Sequence, residues 1–218
     1  MQHATISWSE SELSELVARR LAFFSDGRMR GFGDLCEVPA DAEKLFGRII
    51  RTCARSPREL IKALDTTVRQ HDEVHAADDV APLFTEASLD RGLDAYCKDT
   101  VPATYPASLI APLLRLKMAR FVNKDVQRSA RIGGPSARAR IQKWVDADLV
   151  GLSGQRAAEG GVGGKPATEY AILDPRVTRV VERNLRLSDQ IEMMLENEEE
   201  QDPTDEMNEG GDADEAKA

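Results

Sequence analysis

Aromatic residues are scarce in this chain: Phe, Trp and Tyr make up 5% of 218 residues. A core must therefore come from aliphatic side chains packed between helices or a small sheet. Its three cysteines, Cys36, Cys53 and Cys97, are odd in number, widely separated and without a CxxC pair. That pattern excludes a disulfide framework and a structural zinc site and predicts reduced core thiols. There is no run of ~18 apolar residues, so no segment is expected to span a membrane. The first residues, MQHATISWSESELSE, are acidic and polar where a secretory signal has a basic start and an apolar stretch, so the expected compartment is the cytoplasm. No G-x-S-x-G is present. The three histidines are His3, His71 and His75; the last two, in HDEVH, read as part of a solvated helix face, with no metal expected.

A nucleotide-binding loop is lacking too, although GGVGGKPAT at 160–168 resembles one at a glance. A P-loop needs G-x-x-x-x-G-K-[ST] between a strand and a helix. Here Glu159 stands where the first glycine belongs, Pro166 stands where the magnesium-binding hydroxyl belongs, and TEYAIL alternates like a strand. The glycines serve a turn instead.

Charge is abundant and unevenly placed. Residues 1–100 hold 13 Lys/Arg and 18 Asp/Glu, residues 101–186 hold 15 and 7, and residues 187–218 hold 1 and 13. A basic middle followed by an acidic end suggests a polyanion-binding module with an acidic tail that solubilises, competes with the polyanion, or binds a basic partner.

Periodicity predicts a mainly α protein. In SWSESELSELVARRLAFFS, Ser9 and Glu12 form a capping box ahead of Leu13, Leu16, Val17, Leu21 and Phe24 at helical spacing. A second helix is expected over PADAEKLFGRIIRTC. A third follows Ser56-Pro57, with Leu60, Ile61, Leu64 and Val68 on one face, and a fourth covers TEASLDRGLDAYCKDTV. Residues 1–100 thus read as a small all-helical domain. From Tyr105 the pattern becomes helix, short helix, Gly-Gly-Pro turn and helix, the last capped by Ser136. Two strands, LVGLS and ATEYAIL, follow across a Gly-rich connection. This is the order of a winged helix-turn-helix, expected over 101–176, with the glycines as its wing. A long amphipathic helix is expected at 177–197, and residues 198–218 have too little apolar content to order themselves.

The segments ISWSESELSELVARRLAFFS and RTCARSPRELIKALDTTVRQ resemble the helix leaving the nucleotide-binding core and the lid helix of bacterial STAND/AAA-like P-loop ATPases. Archaeal replication-initiator ATPases also place a winged helix after such a lid. The resemblance covers roughly residues 5–185 and implies a lid-like role for 1–100. It places Arg58 of SPRELI, with Arg55 beside it, where a nucleotide phosphate would be sensed. Without Walker A and B motifs the chain is not expected to act as an enzyme or to hold a cofactor alone. ATP and magnesium enter only if a core is supplied elsewhere, with this chain as its C-terminal part or partner.

The expected DNA-contacting residues are Arg128, Arg131, Ser136, Arg138, Arg140 and Lys143 across the helix pair, with Arg156 and Lys165 on the wing. The same basic face also reads as an ordinary solvated surface. Two functions stay open: a non-catalytic module for double-stranded DNA, or a protein-interaction and oligomerisation module of a signalling or defence ATPase. Partners are accordingly duplex DNA, an ATPase core or a second copy of the chain, and no membrane.

Overall fold

The computed structural model describes residues 8–78, 82–157 and 166–189, together with 191 and 193. Among them are eight α-helices and one three-stranded sheet. None of the helices is long and apolar enough to cross a membrane. The N-terminal portion holds α1 (Glu10–Phe24), α2 (Ala42–Thr52), α3 (Pro57–Val74) and α4 (Glu86–Thr104). Local chemistry starts α1 where expected: the Glu12 N–H donates to Ser9 Oγ at 3.2 Å, and the Ser9 N–H donates back to Glu12 at 2.8 Å. Pro57 opens α3 after Ser56, whose hydroxyl accepts from Glu59. The three cysteines are free and buried. Burial pushes the thiols of Cys53 and Cys97 up to about 12, so they act as small apolar side chains.

The buried face of α3 differs from the expected one. Leu60, Ala63, Thr66, Thr67 and His71 point inward, while Val68 is 41% exposed. The cause lies on α4, where Gly92 lets the two backbones touch: a Cβ there would lie 2.6 Å from the Cα of Thr67. That contact rotates α3 toward its smaller residues. His71 is correspondingly buried, not solvated. Its Nε2 lies 2.7 Å from the Pro82 carbonyl, and its ring packs edge-on against Phe84, centroids 4.7 Å apart. Phe84 in turn exchanges backbone hydrogen bonds with Leu35 and Glu37, which ties the α3–α4 connection to the segment before α2.

The remaining elements are α5 (Ala107–Leu114), β1 (Arg120–Val122), α6 (Asn123–Ala130), α7 (Gly134–Asp146), β2 (Val150–Arg156), β3 (Ala167–Ile172) and α8 (Pro175–Glu182). The strands pair antiparallel in the order β1-β3-β2, with a register shift between Leu152 and Gly154. The division expected at residue 100 falls inside α4. The helix expected over 177–197 begins at Pro175 and breaks after Glu182, where Asn184 takes a left-handed φ of 50°; Asp189, Ile191 and Met193 are helical again, and 194–197 lie outside the described residues. Beyond it Leu185, Leu187 and Ile191 pack on the core. The tail at 198–218 lies outside the described residues.

One hydrophobic cluster runs from Leu13 to Ile191 and includes residues of both halves. Val177, Val180 and Val181 of α8 are buried in it. Polar contacts bind the same seam. Arg179 and Arg183 donate to Asp94, Arg179 and Arg48 meet Asp90, and Arg48 also reaches Glu86, joining α2, α4 and α8. A second network has Tyr105 and Arg176 donating to Asp174 and Tyr96 donating to Glu59, with Arg176 3.8 Å from Glu59.

Candidate nucleic-acid interface

The basic residues of 115–143 sit on a scaffold of aliphatic and aromatic contacts. Ala137, Ile141 and Trp144 form the inward stripe of α7. The Trp144 indole N–H donates to the Leu109 carbonyl of α5 at 3.0 Å, and its ring meets Phe121 of β1 edge-on at 5.7 Å. These contacts fix the azimuth of α7 and with it the direction of every polar side chain on the helix. The turn before it is made by Arg131, in a left-handed conformation at φ 49°, and by Gly133, the N-cap of α7. Ser136 is therefore not the cap expected for it. It lies in the first turn and is exposed.

At about 100° of rotation per residue, the cations of α7 divide between two flanks. Arg138 is exposed on one flank. Lys143, exposed, and Arg140, half-buried, lie on the other with Ser136, roughly 140–160° away. Between the flanks run Pro135, Ala139 and Gln142, all exposed, and then Asp146, which accepts from the Gln142 amide at 2.7 Å. Arg128 of α6 is exposed, 4.0 Å from Asp125. Arg131 is exposed at the end of the same helix.

Arg156 has a different setting from the other candidates. Its guanidinium donates to Asp125 of α6 at 2.9 Å, to Glu169 of β3 at 2.9 and 3.0 Å, and to the Arg120 carbonyl of β1 at 3.3 Å. The hydrogen bond to Glu169, followed by the charge of Asp125, holds its pKa above the usual arginine value. Asp125 is itself buried and accepts from the Val122 N–H at 2.9 Å. This brace fastens the hairpin to α6. Residue spacing carries a signal for half of it, since Asp125 falls three residues after Val122 at a helix start, whereas its pairing with Arg156 spans 31 residues and has none. Lys165 and the glycines 160–164 lie outside the described residues. Arg58 is exposed in the first turn of α3, and exposed Arg55 lies 3.7 Å from Glu10.

No group of three or more potential metal ligands occurs among the described residues. No protein-family model, curated protein or solved structure matches the chain.

Proposed function

We propose that residues 101–176 form a winged helix-turn-helix that binds duplex DNA. In this reading α7 enters the major groove, the β2–β3 hairpin follows the adjacent backbone, and the chain works as the non-catalytic C-terminal part or partner of a P-loop ATPase. The supporting observation is the outward face of α7: an uncharged strip of Pro135, Ala139 and Gln142, ended by Asp146 at the far end of the helix, between a flank carrying Arg138 and a flank carrying Lys143. A helix lying in a major groove has phosphates on both sides and base edges beneath it. Cations on the flanks then meet the two backbones, and the strip faces the bases. The element order and the strand order β1-β3-β2 support the same reading. The ATPase association rests on the SPRELI resemblance and on Arg58, whose exposure leaves it accessible to a nucleotide held by a separate core.

Salt titration of duplex binding tests the proposal. Arg138→Ala and Lys143→Ala are each expected to weaken binding on all sequences alike and to lower the salt slope by about one, because each removes one phosphate contact. Gln142→Ala is expected to leave the slope unchanged and to narrow the gap between preferred and random duplexes. A native chain that binds no duplex at low salt, or a double Arg138/Lys143 variant that binds as the native chain does, overturns the reading.

A further inference from the structure

Phe23 and Phe24, at the end of α1, are 77% and 73% exposed, although the whole chain has six Phe. Their rings meet edge to face with centroids 5.2 Å apart, and the Arg20 guanidinium lies 5.8 Å over Phe24. Residues 18–31 hold four arginines and one aspartate. The result is an exposed aromatic knob with the Arg20 cation over one ring, while Arg19 pairs with Glu15. Exposed aromatics next to arginine are the side chains that anchor protein interfaces.

The start of the same helix borders a cleft of about 460 Å³, within the roughly 300–1,000 Å³ usual for cavities that bury a guest. The buried rings of Phe32 and Phe46, centroids 5.2 Å apart, line it together with Ala42 and Gly47, and Glu10, Ser11, Ser14 and Glu43 add polar groups. Gly47 leaves real space, since a Cβ there would meet only the Arg51 side chain, at 3.4 Å. Glu43 is exposed, and Glu10 lies 3.7 Å from exposed Arg55. The aromatic pair carries a cation, and the cleft combines apolar side chains with the carboxylates of Glu10 and Glu43. Helix rise separates them by roughly 20 Å along α1, so a copy cannot fill its own hole.

We propose that the occupant of this cleft is a second copy of the chain, laying its Phe23–Phe24 pair head to tail over the touching rings of Phe32 and Phe46, with Arg20 against Glu43. Such a contact uses two different surfaces, so each copy keeps one free knob and one free hole, and assembly continues until a ring closes. The proposal is independent of DNA binding.

Complementation tests it. The double variant Phe23→Ala/Phe24→Ala removes the knob and keeps the hole, while Gly47→Leu fills the hole and keeps the knob. Both are expected to fold, because the phenylalanines are exposed and a helix-interior glycine gains helix propensity on replacement. In sedimentation velocity, the native chain is expected to grow in size with concentration. Each variant alone is expected to stay monomeric, and an equimolar mixture to form a dimer and nothing larger. A native chain that stays monomeric at every concentration, a variant that still assembles, or a mixture that gives no dimer overturns the proposal. If Gly47→Leu does not fold, the charge reversals Arg20→Glu and Glu43→Arg provide the same logic: each alone is repelled by its own kind, and the mixture assembles. Failure of that mixture to assemble overturns the proposal equally.

Discussion

Replacing a glycine inside a helix by alanine ordinarily stabilises a protein by about 1 kcal/mol. At Gly92 the sign is reversed. A Cβ there would come within 2.5 Å of the Thr67 hydroxyl and 2.6 Å of the Thr67 Cα, and the second of these is backbone that cannot swing away. Gly92→Ala is expected to lower stability by ~1–3 kcal/mol, the usual cost of overpacking, read as a fall in the urea midpoint. Relieving the clash with Thr67→Gly in the same chain is expected to recover it only in part, since the Thr67 hydroxyl and Cβ go but the Cα at 2.6 Å remains. The same glycine explains why the inner face of α3 was not legible. Leu60, Ile61, Leu64 and Val68 form the more apolar of two adjacent helical faces, and nothing near LDRGLDAY in sequence says that its glycine meets Thr67. Ser9 with Glu12 and Ser56 with Pro57 were legible because a cap is satisfied within four residues of itself.

At the scale of elements, Arg156 decides how the hairpin is held. Arg156→Ala leaves the buried Asp125 carboxylate with the Val122 N–H and the distant Arg128, and frees Glu169 on β3. The expected cost is ~1–3 kcal/mol of stability, typical of stranding a partly buried partner. Duplex affinity should fall without a change in salt slope, because a brace contributes no phosphate contact. A slope lowered by about one would instead assign Arg156 to the DNA. The order of helices and strands from Tyr105 to Ile172 could be read from period and turn residues, apart from the short β1. The brace could not, because each of its ion pairs joins residues far apart in the chain. Nor could the start of α7: Ser136 has cap chemistry, but Gly133 precedes a proline at the second helical position and takes the cap itself.

At the scale of the molecule, α4 belongs to both halves, and α8 returns to lie along it. The carboxylates of that seam set a response to acid. Burial alone would raise Asp174, but hydrogen bonds from Arg176 and Tyr105 and the charge of Arg176 hold it below its ordinary value. Asp90 is likewise lowered: burial opposes, and Arg179 and Arg48 prevail. A carboxylate depressed in the folded state stabilises fully above its unfolded pKa of about 4, and that contribution is lost as pH falls through the depressed values. The urea midpoint is therefore expected to lose the contribution of these two groups only below about pH 4–5, and Asp174→Asn to flatten that fall. A midpoint as acid-sensitive in Asp174→Asn as in the native chain would remove Asp174 from this role. The seam has a further consequence. With α8 joined to α4 by the pairs of Arg179 with Asp90 and Asp94, and with its three valines buried in the shared core, a partner bound at α1 to α3 rests on the same packed core as the basic face of α7.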